Sequence, residues 1–324
     1  MTHSDPTISV VIPVYNCSGT IAGCLDSLSK QDRPYYEVII VDDGSTDETV
    51  KICESYPDIR IINVKNGGPS KARNIGVNLA RGEIIAFTDG DCIADRQWLM
   101  ELEKGFTSPK VAGVGGSQKS PRDETDFGRL VQEIFEALGI VTYYIQTSDM
   151  MGETEHNPSC NSAYRKRVLE EVGGFDETLW PGEDVDLDFR IRQRGYKLIY
   201  NPRALVRHYR PATYGGFARM MRRYGASAWH LFRRYGLFRT LHYEPIAAVS
   251  GLALMVAMIT WKSWIVYLFL LPCPFCFLWF FFKTREFRKS IQLVVLFLMI
   301  LVNWNWGFFT GYRYLPWRQE KIPE

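Results

Sequence analysis

The sequence predicts an α/β fold: a Rossmann-like, mainly parallel sheet flanked by helices, followed by a C-terminal membrane region. Three observations predict it. Short β-branched runs alternate with helical patterns from Ile8 to Phe87. A polar or glycine-rich segment follows each run. Beyond Glu244 the chain turns into long uncharged apolar stretches. With 324 residues and a formal net charge of +2, it is long enough for one sizeable domain with an appendage, or for two domains.

The runs Ile8–Val14 (ISVVIPV), Val38–Val41 (VIIV), Arg60–Val64 (RIINV) and Ile84–Phe87 (IIAF) are short and β-branched. Such runs suit strands buried on both faces. Helical patterns lie between them at Thr20–Ser29, Thr46–Tyr56 and Ser70–Ala80. Ser45 is expected to cap the second, with Glu48 three residues on as its capping-box partner. Strands alternating with helices make right-handed parallel βαβ units. Ligands of such sheets bind beyond the carboxyl ends of the strands.

Chemistry-bearing residues fall at those ends. Pro13-Val14-Tyr15-Asn16 closes the first strand, Asp42-Asp43-Gly44-Ser45 the second. Asn66-Gly67-Gly68-Pro69 follows the third and leads into a helix carrying Lys71, Arg73 and Asn74. The fourth ends in FTDGDC, with Asp89 and Asp91 on either side of Gly90. There is no G-x-x-x-x-G-K-[ST] loop, and no G-x-G-x-x-G follows the first strand. Phosphates bound here need another counter-charge. Two carboxylates at a strand end can hold a hard divalent cation that bridges diphosphate oxygens. Gly90 is expected to let the backbone approach the ligand.

Pro245–Trp261, Trp264–Phe282 and Ser290–Phe309 are uncharged. A membrane helix needs roughly 20 apolar residues, so three spans are expected, at 245–261, 264–282 and 290–309. Tryptophans at their edges suit interfacial belts. Nine arginines and no Asp, Glu or Lys lie between Arg203 and Arg239, interleaved with aromatic and apolar residues. That pattern predicts amphipathic helices over 212–243 on an anionic bilayer surface, and makes nucleic acid the poorer partner. The cationic loop Lys283–Lys289 and the polar N-terminus without a secretory signal place the front domain in the cytosol. Seven cysteines without framework-like spacing suit reduced thiols there.

The stretches VVIPVYN, VIIVDDGSTDET, GGPSKARNIG, GEIIAFTDGDC, NSAYRKRVLEEVGGFDETL, GEDVDLDFRIRQRGYKLIY and VRHYRP run in that order from Ile8 to Pro211. Together they resemble the family 2 glycosyltransferases, inverting enzymes of the GT-A fold that use nucleotide-diphosphate sugars. The resemblance implies a GT-A domain over 1–211, interface helices over 212–243 and a membrane region over 244–324. It implies a donor-binding set of Pro13, Tyr15, Asp42, Asp43, Lys71, Arg73, Asp89 and Glu183. Asp89, Asp91 and His208 would hold a divalent cation, Mn2+ or Mg2+; an ordinary histidine near a strand end is the alternative reading of His208. The Asp of the Glu183-Asp184 pair, Asp184, would be the general base that takes the acceptor's proton as the new bond forms. Asp186 and Asp188 suit acids complementing a helix start.

The Q-x-x-R-W motif of processive polysaccharide synthases is missing; the corresponding region reads FARMMRRYG. Polyprenyl-phosphate sugar synthases use an already ionised acceptor and have less need of a Glu-Asp base. The expected partners are therefore a nucleotide sugar, with UDP favoured, and a lipid-linked or membrane-embedded hydroxyl acceptor. The expected protein is an integral membrane enzyme with its catalytic domain on the cytosolic face. A polyprenyl-phosphate sugar synthase and a non-catalytic membrane scaffold stand as alternatives.

Overall fold

The computed structural model describes residues 7–33, 36–142, 148–237, 243–245, 247, 250–251 and 272–313. They fall into two compact units: 7–124 with 148–209, and 125–142 with 210–313.

The first unit begins with β1 (Ile8–Val14), α1 (Ile21–Leu28), β2 (Tyr36–Asp42), α2 (Thr49–Glu54), β3 (Ile59–Asn63), α3 (Pro69–Leu79) and β4 (Ile84–Thr88). Each expected strand and helix forms, and the four strands pair in parallel in the order β3-β2-β1-β4. The apolar runs are continuous because both sheet faces are covered. Val10 and Ile12 pack with Cys24, Leu25 and Leu28 of α1. Val11 and Ile39 pack in a second cluster with Ala72 and Val77 of α3. A Cβ at Gly76 would lie 2.2 Å from Val11 Cγ1, so only glycine lets α3 sit this close to β1.

Ser45 does not cap α2. Its Oγ accepts from Asn16 N–H at 2.9 Å and its own N–H donates to Asp42 Oδ2 at 3.1 Å. Local hydrogen bonds of this kind compete with helix initiation, and α2 starts only at Thr49.

The remaining elements are β5 (Cys92–Ala94), α4 (Trp98–Lys104), β6 (Val111–Lys119), α5 (Asp126–Thr142, in the second unit), β7 (Gly152–Thr154), β8 (Asn161–Arg165), α6 (Lys166–Val172), α7 (Glu183–Gln193) and β9 (Lys197–His208). The sheet continues β4-β8-β6-β9-β5, with β7 also on β9. β8 is antiparallel to both β4 and β6, β6 runs parallel to β9, and β5 and β7 are antiparallel to β9. The sheet is therefore mixed and not mainly parallel. Local sequence pattern does not encode strand direction here.

The second unit holds α5, α8 (Tyr214–Tyr235), α9 (Pro272–Thr284) and α10 (Phe287–Thr310). α5 belongs here, although the sequence assigns it to the front domain. Thr213 caps α8 by accepting from Gly216 N–H at 3.1 Å. α8 does not lie alone: it buries Phe217, Met221 and Leu231 and lies tightly on α10. A Cβ at Gly225 would come 1.9 Å from the Trp304 carbonyl oxygen, and one at Gly307 2.0 Å from the Arg222 carbonyl oxygen. Small residues bring helix backbones together in this way. Lys289 pairs with Glu133 of α5 at 2.7 Å, and Asn305 donates to Glu244 at 2.9 Å.

Phe287–Arg313 is the one stretch among the described residues long and apolar enough to cross a membrane, and it contains the expected 290–309 span. The described end of the 264–282 stretch forms α9, and most of 245–261 lies outside the described residues.

Gly225→Ala is expected to destabilise the α8–α10 packing by about 1–3 kcal/mol, the usual cost of overpacking. Thermal unfolding of the detergent-solubilised protein checks this; an unchanged midpoint contradicts the packing.

Candidate active site

Every expected site residue lies in the first unit, at a strand end or in the first turns of α3 and α7. Pro13 sits in β1 opposite Val41, and Tyr15, just beyond, is half exposed. Asp42 and Asp43 close β2. Both are buried and both are engaged by backbone. Asp42 accepts from Gly44 and Ser45 N–H at 3.2 and 3.1 Å, so it shapes its own turn. Asp43 accepts from Gly67 and Gly68 N–H at 2.7 and 2.8 Å, stitching the glycine loop to the end of β2. Burial holds its carboxyl above the ordinary range despite those two donors. Lys71 is exposed, and its chain runs over Gly67.

Arg73 is not on the surface. Its side chain is 4% exposed, with Nη2 2.8 Å from Asp89 Oδ1 and Nη1 2.8 Å from Glu183 Oε1. The guanidinium lies 5.6 Å from the centre of the Phe175 ring. One buried cation thus joins α3, the end of β4 and the start of α7. Glu183 is buried too, so the Arg73–Glu183 pair is an internal one.

Gly90 has a different role from the one expected of it. A Cβ there would meet Cys17 Sγ at 2.8 Å and Val14 Cγ1 at 3.3 Å. The protein's own packing requires the glycine. The turn it permits, closed by Cys92 N–H on the Asp89 carbonyl at 3.0 Å, separates the two carboxylates. Asp89 turns to Arg73. Asp91 turns to His208, whose Nε2 lies 3.4 Å from Asp91 Oδ1. Pairing of β5 with β9 sets this meeting, since Cys92 stands opposite His208. Gln118 Oε1, 3.4 Å from His208 Nδ1, holds the other side of the ring. Asp91 and His208 face one another, and with Asp89 they supply the donor types of a manganese or magnesium site, although Asp89 is turned to Arg73 in this structure.

Asp184 follows Glu183 at the start of α7. Its Oδ2 accepts from Ser159 N–H at 3.2 Å, its Oδ1 from Val185 N–H at 2.8 Å, and His156 Nε2 stands 3.9 Å away. Asp186 pairs with Arg190 at 2.7 Å. Asp188 is not a helix-start acid. It is fully buried, with His156 Nδ1 at 2.9 Å, Asn157 N–H at 2.7 Å and Tyr164 Oη–H at 2.8 Å. His156, between the two aspartates, was not among the residues expected at the site; nothing local to EHNPS signals a partner on a later helix. Gln118 was missed for the same reason.

Residues 9–173, 165 of 324, match the family described as Glycosyl transferase family 2. The chain belongs to that family. It is 32% identical over 209 residues to glycosyltransferase AglE of Haloferax volcanii, covering 62% of this chain and 66% of that one. It is 29% identical over 206 residues to the O-antigen chain rhamnosyltransferase RfbN of Salmonella typhimurium, covering 62% of this chain and 66% of that one. The chain thus spans just under two thirds of the length of these curated relatives. Among solved structures, the mannosyltransferase PcManGT of Pyrobaculum calidifontis, in complex with GDP-Man and Mn2+, shares the fold. Its TM-score is 0.64 at 24% identity, over 92% of this chain and 88% of that one.

Burial, with Asp184 adjoining, pushes the Glu183 carboxyl up to about 7 against the pull of Arg73. A raised folded-state value gives stability that is present below the unfolded value and lost as pH rises through the folded one. The stability difference between the native protein and Glu183→Gln should therefore shift against the native protein from about pH 4.5 to pH 7. Thermal midpoints of both proteins across that range check this; a difference that stays flat or grows contradicts it.

Proposed function

We propose that the protein moves a sugar, with inversion, from a nucleoside-diphosphate donor to a hydroxyl of a lipid-linked or membrane-associated glycan. The observation that carries this reading is the chain Asp89–Arg73–Glu183, whose last member adjoins Asp184 in sequence. It ties the candidate base to the strand end that bears the candidate metal ligands. Asp89, Asp91 and His208 would hold the divalent cation, whose charge offsets that of the leaving diphosphate. Asp184 accepts the acceptor's proton as the acceptor oxygen bonds to the anomeric carbon and the bond to the diphosphate oxygen breaks. Ser159 N–H and His156 position its carboxylate. Tyr15 and Lys71, both exposed, are the members of the expected donor set best placed to meet a nucleotide sugar directly.

Similar proteins support the substrate class. RfbN acts on an O-antigen chain, and PcManGT was solved with GDP-Man and Mn2+. The apolar Phe287–Arg313 helix supports attachment to a bilayer, with the catalytic unit on the cytosolic face and the anionic surface as a further partner. The nucleotide is left to a donor panel in which UDP-sugars come first.

The test pairs two measurements on one protein. Asp184→Asn should leave donor affinity near normal by calorimetry and lower transfer to a hydroxyl acceptor by about 100-fold or more. Wild-type turnover contradicts the assignment of the base. Outright loss of donor binding places Asp184 in the donor site instead.

A further inference from the structure

Below the candidate ligands of the hard cation lie two thiols that the reaction does not use. Cys92 is 1% exposed and Cys160 is 6% exposed. Cys92 stands opposite His208 across the β5–β9 pairing, and Cys160 directly precedes β8. Their sulfurs and a His208 ring nitrogen all lie within 4.8 Å of one another. Asp91 Oδ1 lies beside the group, 3.8 Å from Cys92 Sγ and 3.4 Å from His208 Nε2.

We propose that Cys92, Cys160, His208 and Asp91 form a four-donor site for a soft divalent ion of the zinc class, and that this ion excludes the activating hard cation. Zinc favours four ligands drawn from thiolate, imidazole and carboxylate. With the usual bond lengths, a tetrahedral zinc site sets its sulfurs about 3.8 Å apart and its nitrogen and carboxylate oxygen about 3.4 Å apart. The His208–Asp91 separation of 3.4 Å has that value, and the two sulfurs and the His208 nitrogen, all within 4.8 Å of one another, reach that shape by a contraction of about 1 Å at most, with Asp91 closing in as the fourth donor.

The site is selective by ligand type. A hard cation takes the oxygens of Asp89 and Asp91 with His208 and leaves thiols alone. A soft ion takes the sulfurs. The two sets share Asp91 and His208, so both cannot be filled together. They also differ in depth. The Asp91 side chain is 42% exposed and that of His208 20%, whereas the sulfurs are buried. An ion drawn to the sulfurs sits away from the exposed end, where a diphosphate arrives. Zinc-class ions would thus act as inhibitors. The exclusion rests on the reading of Asp91 and His208 as ligands of the activating ion; the thiolate site itself does not.

Cobalt(II) is the probe, because thiolate-bound cobalt has a charge-transfer absorption that oxygen-bound cobalt lacks. The full-length protein in detergent, titrated with cobalt, should develop that band with a stoichiometry of one, and zinc should abolish it. Cys92→Ser and Cys160→Ala should each lose the band. Both variants should keep manganese-dependent transfer, while the zinc concentration needed for inhibition rises by about 100-fold. Absence of the band in the native protein overturns the site, whatever the activity shows. A band that appears while zinc fails to compete with manganese retains the thiolate site and overturns the exclusion.

Discussion

The guanidinium of Arg73, held between Asp89 and Glu183, is the interaction on which the rest of the site depends. It is the point where three separate elements meet: a helix, the end of a sheet strand and the start of a later helix. Two carboxylates share one buried cation, and a third, Asp184, adjoins them. Burying such a group is costly, because each ion gives up water. Arg73 Nε and Glu183 Oε2 have no hydrogen-bond partner among the described residues. The arrangement is therefore poor as a stabilising device, and its value lies in position. Glu183 cannot move without stranding Arg73, so the backbone of Asp184 is fixed with it.

Around this cation the site divides by function. On one side Asp89 turns inward, while Asp91 faces His208 across the β5–β9 pairing. On the other, Asp184 is held by a backbone N–H from Ser159 and faced by His156, itself held by the buried Asp188. The glycine loop at 67–68 is fixed to the β2 end by Asp43. Metal-type ligands, candidate base and loop are all referred to the same sheet edge. That is what a transfer reaction with a charged leaving group and a neutral nucleophile needs.

Much of this was legible in sequence, and the reason is locality. β1 to β4 announce themselves because strands covered on both faces need unbroken apolar runs. The carboxylate pair after β4 and the Glu-Asp pair opening α7 are short motifs at element ends. What could not be read is what depends on pairing across distance. His156, Gln118 and Cys160 reach the site through β7, β6 and β8, whose pairings join segments far apart in sequence. The role of Gly90 also escaped a local reading, since its constraint comes from Cys17 and Val14. For Arg73, sequence shows the charge but neither the burial nor the two carboxylate partners. α8 looked like a surface helix because its arginines are visible in sequence, whereas the close approach of Gly225 to Trp304 is not.

The most direct test of the central claim is a double-mutant cycle on Arg73 and Glu183, read by denaturant unfolding of the detergent-solubilised protein. Arg73→Met alone should cost about 3–5 kcal/mol, because it leaves buried carboxylates without their cation. Adding Glu183→Gln should recover part of that loss, giving a coupling of about 1 kcal/mol or more. Effects of the two substitutions that add within about 0.5 kcal/mol would contradict the account, since the guanidinium would then not be what ties α3 to α7.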